Sequence, residues 1–453
     1  MKKRYLSMVL IGIFIVGIMG VTAMAEVKKI TITAWTIGPD NPSYNRKENL
    51  IKAGKRLNEI LKAAGCNIRV QVKATFDTTN WESYKKRALM AFKTGKELDI
   101  IASGHEDLGT WASAGYVIPI GRYVKEFWNL GLYDIYKPLW NACKYKGKIY
   151  AIPQDTEARP LYIRKDKLKE MGWTDKQIRE LVKKFNDGEY TIYDMVKIAQ
   201  KAQKAGVVKY GLIHRPKIGV DYYQIWNAFN DPIYDPKTGK LVFNKKKTLK
   251  VFKFIYDLTN TYKVTPKSMI GTPWNSVHKI VAKDGEALFY MGGTWNVAEW
   301  ENKFHYKYKD IKRMFAESLF PPAKKGGKPN TISHPIVYMV PKQSKHPRLA
   351  VLLITLASAA DLNAIHAVTS GHLAIRHEET AVPMYKKNKF LASVTYMLNH
   401  TRFIPNNPRF NEYNRIIFQA MTGLEAGKFK PKFAVDYVAK RLKTLLKNDV
   451  EIR

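Results

Sequence analysis

Residues 283–300, Lys283-Asp-Gly-Glu-Ala-Leu-Phe-Tyr-Met-Gly-Gly-Thr-Trp-Asn-Val-Ala-Glu-Trp300, decide how the rest of the chain is read. The polar run 283–286 ends a helix, and 287–291 is a short apolar strand. Gly292 and Gly293 make a turn free of side chains, and Thr294-Trp295-Asn296 open the next helix. Two glycines let the backbone reverse close to another surface. They also deliver the indole of Trp295 to the tip of a strand, where open α/β sheets bind their ligands.

Working outward, the same strand-then-helix grammar recurs. Residues 29–36 (KITITAWT) alternate apolar and polar and read as a strand, followed by an amphipathic helix over 45–64. A second strand (68–74), a second helix (81–94) and a buried third strand (98–102) continue the pattern, which implies parallel βαβ units. These strands end in Trp35-Thr36, in Phe76-Asp77-Thr78 and in Ser103-Gly-His105-Glu106-Asp107. A ligand crevice lies at such carboxyl ends.

Residues 145–153 (YKGKIYAIP) read as a hairpin, 154–159 as a polar crossover and 161–166 (LYIRKD) as a strand. Helices follow at 178–185 and 192–205, a strand at 210–214, an aromatic helix at 221–229 holding Trp226 and Asn227, and a long helix at 248–261. Between them, 231–242 carries turn residues. Beyond the opening stretch come a strand at 336–341, an apolar helix at 349–359, a Pro/Asn loop at 403–408, and two closing helices at 412–426 and 433–446. No repeat or low-complexity linker interrupts the chain, so two lobes joined by several crossings are expected.

The composition sets limits. A chain of 453 residues is too long for one core and suits two domains. Its net charge of +37 could point to nucleic acid, but the lysines are spread over nearly every amphipathic segment. Spread lysine reads as a solvated surface of the kind heat-adapted (thermophile) proteins carry. No nucleic-acid partner is expected. At the amino end, Lys2-Lys3-Arg4, an apolar run over 6–21 and Ala23-Met24-Ala25 compose a signal peptide with its cleavage site, the alternative being an uncleaved anchor, for which the apolar run is short. Without its three basic residues, 73 basic and 39 acidic side chains remain. Export follows, to the periplasm or cell-surface space, with Cys66 and Cys143 free to bridge or not. Neither has the spacing of a metal site, and no metal or cofactor is expected.

The chain resembles the family 1 extracellular solute-binding proteins of ABC sugar importers, the maltose-binding-protein-like type. The likeness rests on ITITAWT at 30–36, LDIIASGHEDLGTWASAGYVIPI at 98–120, KGKIYAIPQDTEARPLYIRKD at 146–166, the glycine and Trp295 turn at 285–300, and IPNNP at 404–408 with Tyr413. Five segments in register carry it. The resemblance implies a periplasmic-binding-protein type II fold: two α/β lobes with a hinge and an interlobe cleft. The lobes would be 26–154 with 313–372 and 155–312 with 373–453, after a leader at 1–25. It also implies a monomer that hands its ligand to membrane permease subunits. Trp295 would be the platform under a sugar ring, with Gly293 and Thr294 in its turn. His105, Glu106 and Asp107 would stand at the third strand, Glu157 and Tyr162 at the crossover, and Tyr413 in the late loop.

Residue type and position add Trp35, Asp40, Asp77, Trp81, Arg159, Trp226, Asn227, Trp274, His334, His372 and Arg376. A sugar or cyclitol offers hydroxyls around apolar C–H faces, so aromatic rings cover the faces while carboxylates, amides and guanidinium groups bind the rim. Convergence of Arg159, His105 and His334 would suit an anionic or phosphorylated ligand. A carboxylate pair such as Glu106 and Glu157 would be the minimum for a glycosidase. Against an enzyme, the chain has no serine elbow, zinc-helix motif, phosphate loop or dinucleotide glycine motif.

Overall fold

The computed structural model describes residues 27–38 and 41–453. The leader and Asp40 lie outside those residues. The chain forms two compact units, one running up to Thr156 and including Pro335–Ala392, the other Glu157–His334 with Ser393–Arg453.

In the first unit the strand Lys28–Ile37 pairs in parallel with Ile68–Asp77 along its whole length and with Ile100–Gly104 on its other side. The helices Asn45–Ala63 and Trp81–Thr94 make the crossovers. Asn80 starts the second of these by accepting from the Ser83 N–H, and Gly95 ends it at φ +67°. Every residue of Ile100–Gly104 is buried, as expected of a strand covered on both faces. Ile336–Met339 then enters antiparallel between Ile100–Gly104 and Ala151–Pro153, closing a five-stranded sheet.

The second unit is built on four strands. Leu161–Arg164 runs antiparallel to both Phe315–Ser318 and Ala287–Met291, and the latter is parallel to Tyr210–Ile213. Its core gathers Phe185, Trp226, Phe243, Phe252, Phe289 and Tyr413.

The structure redraws three sequence expectations. Phe315–Ser318, expected in the first lobe, is an edge strand of the second unit because it pairs with Leu161–Arg164. Residues 373–392, expected in the second lobe, belong to the first unit, where Leu373 N donates to Thr156 O (2.7 Å) and Tyr136 N to Ile375 O (3.0 Å). The turn-rich stretch 231–242 and the chain end hide a small sheet, Tyr234–Asp235, Lys240–Phe243 and Val450–Ile452. Strands of two to four residues are too short for periodicity to register. The two cysteines are free thiols, and burial pushes the Cys143 thiol up. Among the described residues no single helix is long and apolar enough to cross a membrane.

Candidate functional site

At the carboxyl end of Ala287–Met291 the chain turns through Gly292 and Gly293 into the helix Trp295–Phe304. Neither glycine takes a left-handed conformation, so backbone freedom is not why they are there. Room is the reason. A Cβ on Gly293 would stand 2.0 Å from the Trp295 ring, and one on Gly292 2.4 Å from Tyr290. The turn is pinned from three sides: Gly293 N donates to Asn296 Oδ1 (2.7 Å), Thr294 N to Ala158 O (3.0 Å), and Tyr162 Oη to Gly293 O (2.8 Å). Trp295 is left half-buried.

Over its ring lies Arg159, with Cζ 5.2 Å from the centroid. Arg159 is buried, and its nitrogens reach Glu157 Oε1 (2.5 Å), Asp221 Oδ1 (2.9 Å) and Ile332 O (3.1 Å). Burial works against its charge, but Asp221 and Glu157 outweigh that and raise the guanidinium further. The second oxygen of Asp221 takes Arg215 Nε. Burial would raise Asp221, yet Arg215 and Arg159 hold it well below the usual carboxylate range. Glu157 also accepts the backbone N–H of His334 (2.7 Å). Arg215 leads on to another half-buried indole of this unit, Trp274, with Cζ 5.3 Å from the ring and Lys217 Nζ at 5.9 Å. Two tryptophans are therefore joined by an Arg–Asp–Arg chain.

Behind the turn, Glu299 ties Trp274 to Asn296, the residue after Trp295. It accepts from Trp274 Nε1 (3.4 Å) and Asn296 Nδ2 (2.7 Å) and lies 3.0 Å from His278 Nε2. Trp300 Nε1 donates to His278 Nδ1 at 2.9 Å, which puts the imidazole proton on Nε2, facing Glu299, because an indole nitrogen can only donate. Burial raises Glu299, but His278 and Asn296 outweigh it and the carboxyl sits low.

The first unit carries a smaller group of the same make. Trp81, half-buried at the start of its helix, lies 6.0 Å from Lys85 Nζ. Lys85 also reaches Glu106 (2.8 Å) and Asp107 (2.9 Å) after the third strand, and Ser103 donates to Asp107 at 2.6 Å. Burial opposes the Lys85 charge, and the two carboxylates more than restore it. In each unit a half-buried tryptophan thus lies under a cation held by two acids.

Other candidates stand elsewhere. Asp77 accepts from Thr79 N and Oγ1 and pairs with Arg87, so it braces the loop after its own strand. Trp35 lies 5.1 Å from Lys96 Nζ, and its carbonyl accepts from Tyr84 Oη at 3.1 Å. His105 is buried at the end of Ile100–Gly104, and His334 is half-buried beside Glu157. Three expectations are corrected, those for Tyr162, Tyr413 and Arg376. Tyr162 is wholly buried among Tyr290, Trp300 and Phe315 and supports the turn from beneath. Tyr413 is equally buried, its hydroxyl on Val242 O (2.8 Å), so it is a core residue. Trp226 packs in the core against Tyr223 and Phe252, with Asn227 half-buried beside it. Arg376 is sealed inside the first unit on Ser358 Oγ (3.1 Å). His372 lies beside His366 around Asp155 Oδ2, at 3.9 and 2.9 Å. Asp155, His366 and His372 together could hold a metal ion, but Arg46 already grips that oxygen at 2.6 Å.

Sequence reasoning did not single out Lys85, Arg215, Asp221 or Glu299. Lys85 is four residues past Trp81 and so shares its helix face. Arg215 and Asp221 follow the carboxyl end of Tyr210–Ile213, where the same rule that selected Trp295 applies.

The sequence matches the model of the bacterial extracellular solute-binding protein family over residues 49–363. The maltotriose-binding protein of Pyrococcus abyssi is 24% identical over 240 residues, covering 53% of this chain and 45% of that protein. The chain thus spans less than half the length of that relative. Maltose-bound MalE3 of T. maritima is similar in structure, with a TM-score of 0.70 and 18% identity over 92% of this chain and 99% of that one. So is a solute-binding protein of Agrobacterium radiobacter K84 in complex with ribitol, with a TM-score of 0.69 and 19% identity over 93% and 100%. At such identities these two likenesses speak for the fold. With most of its length covered by the family model, the chain belongs to the bacterial extracellular solute-binding proteins.

Proposed function

We propose that this protein captures a sugar or related polyol (an oligosaccharide, a monosaccharide or a cyclitol) between two closing lobes and delivers it unaltered to the permease of an ABC importer. The observation that carries the reading is the half-buried Trp295 at a strand tip, with Arg159, Glu157 and Asp221 fixed around it. Relatives named for maltotriose, maltose and ribitol are consistent with that ligand class.

The energetics suit reversible capture. Covering about 100 Å² of C–H face on an indole contributes roughly 2–3 kcal/mol at ~25 cal/mol per Å². Hydrogen bonds to charged groups add about 1.5–3 kcal/mol each. A few of each, less the cost of immobilisation, reach micromolar affinity, about −8 kcal/mol.

A second reading, an anionic or phosphorylated sugar, draws on Arg159, Arg215 and Lys217. Most of that positive charge is already committed. Arg159 serves both Glu157 and Asp221, and Arg215 serves Asp221 again. That favours a neutral polyol. An enzyme is disfavoured for a related reason: Glu157 is engaged by Arg159 and the His334 N–H, which leaves it ill suited to act as acid or nucleophile.

A thermal-shift screen over sugars, polyols and their phosphates tests the ligand class, since a ligand that binds only the folded form raises its melting point. Small-angle scattering with the ligand so found should report compaction. A confirmed ligand without compaction would count against closure, and product formed from oligosaccharides would count against a carrier.

A further inference from the structure

Within the second unit a cavity of about 30 Å³, partly open to solvent, lies between the helix Tyr223–Ala228 and the paired strands Thr331–Ser333 and Thr401–Phe403. Trp226, Asn227 and Asp231 line one side, Ile332, Arg402 and Phe403 the other. None of them belongs to the Trp295 group.

Two of these residues bring a buried polar atom that no protein group satisfies: Trp226 Nε1 and Asp231 Oδ1. Both side chains are all but inaccessible, at 1% and 3% exposure. Both residues line the same cavity, and their backbones are joined there by Asp231 N donating to Trp226 O at 3.0 Å. The other oxygen of Asp231 is engaged by Thr248 Oγ1 at 2.8 Å, which fixes the carboxyl and leaves Oδ1 as the one to be matched. Buried polar atoms in folded proteins are nearly always paired, so an unmatched donor and acceptor on one cavity wall call for an occupant.

The chemistry of the two atoms selects it. An indole nitrogen only donates and an ionised carboxylate only accepts. A cation would face the N–H, and an anion would face the carboxylate. A hydroxyl group has the chemistry for both, since it can accept from Trp226 and donate to Asp231. Size narrows the choice further. One water needs about 10–15 Å³ measured this way, so the space admits a hydroxyl and the carbon that bears it. Tyr223 and Phe403 supply apolar wall for the carbon, while half-buried Asn227 and exposed Arg402 stand where the remainder of a longer molecule would emerge.

We infer that this cavity is a second ligand site, which takes the hydroxymethyl end of a polyol or sugar through Trp226 Nε1 and Asp231 Oδ1. It stands independently of the function proposed for the Trp295 group, and either can fail without the other.

The test uses the full exported chain labelled with 15N-tryptophan and erythritol as the probe. The Trp226 indole resonance is identified by its loss in Trp226→Phe. Erythritol should move that resonance saturably, and Asp231→Asn should raise the half-saturating concentration by about tenfold, the loss of one well-made hydrogen bond. Asn227→Trp, a substitution at the half-buried mouth that replaces neither residue of the buried pair, should abolish the response even if Asp231→Asn does not fold. Trp295→Ala should leave it in place, which separates this site from the proposed sugar platform. A Trp226 resonance indifferent to erythritol in the unmodified protein would mean that the cavity holds water only and would overturn the inference. So would a response that Asn227→Trp leaves intact.

Discussion

Arg159 stands with Cζ 5.2 Å over the Trp295 ring while its nitrogens hold Glu157 and Asp221. One guanidinium therefore does two jobs, covering part of an indole and fixing two carboxylates beside it. A planar fork with five donors can do this, and an ammonium cannot. Any ring laid on Trp295 meets groups whose positions are already set, so little ordering remains to oppose binding.

Trp295→Ala removes the platform and leaves the buried supports of the turn, Tyr162 and Asn296, in place. Sugar affinity should fall about tenfold or more, the order of one lost aromatic contact, with the melting temperature nearly unchanged. Titration calorimetry with the ligand found by thermal shift decides it. An unchanged dissociation constant removes Trp295 from the site.

Gly293→Ala should mimic that loss by another route. The new methyl would collide with the Trp295 ring at 2.0 Å, so the indole must swing away. Overpacking of this kind costs roughly 1–3 kcal/mol, which the protein should survive. Affinity should drop with a change in tryptophan emission, whereas the same substitution at Gly121, whose φ is not positive and where a Cβ meets only Ile149 at 3.9 Å, should leave binding alone.

The sequence was legible where one residue type has one physical use. Trp295 at a strand tip followed from two glycines and an apolar pentad, though the glycines proved to serve space and not backbone conformation. Trp81 was singled out at the start of its helix, but its partner Lys85 was one lysine among many on amphipathic helices, and charge alone did not mark it. Tyr162 and Tyr413 misled because a tyrosine in a motif looks the same whether its hydroxyl meets a ligand or a backbone carbonyl. Chain order placed Phe315–Ser318 in the wrong lobe, since strand pairing across 150 residues of sequence leaves no local trace.

Arg159→Met should destabilise the second unit by about 3–5 kcal/mol, because it leaves Glu157 and Asp221 buried with one partner fewer. Asp221 also gives the variant a pH signature. Its folded pKa is depressed, so its stabilisation is complete above the unfolded value near 3.9 and is lost as pH falls through the folded value. Removing Arg159 weakens the depression and moves that acid loss upward in pH. Urea unfolding at neutral pH and at successively lower pH values measures both effects. Equal stability of the two proteins at neutral pH would mean that Arg159 does not hold this network.

Glu379 offers the opposite sign. It is buried in the first unit with Oε2 accepting from Ile375 N at 2.9 Å, and burial pushes its carboxyl up to about 8 despite the nearby Arg376. The unfolded chain releases this proton near the ordinary glutamate value of 4.5, while the folded state keeps it until about 8. Between those values the folded state binds more protons, so stability falls as pH rises, by up to about 1.4 kcal/mol per pH unit. Glu379→Gln keeps the acceptor for Ile375 and has no proton to lose. The variant should match the natural protein near pH 4.5 and become progressively the more stable of the two toward pH 8. His372, which burial lowers to about 3, tilts both curves the other way below its usual value of 6.5, and it cancels in the difference. Melting curves that stay parallel across this window would show that Glu379 is ionised in the folded protein, and would require Arg376 to be its counter-ion.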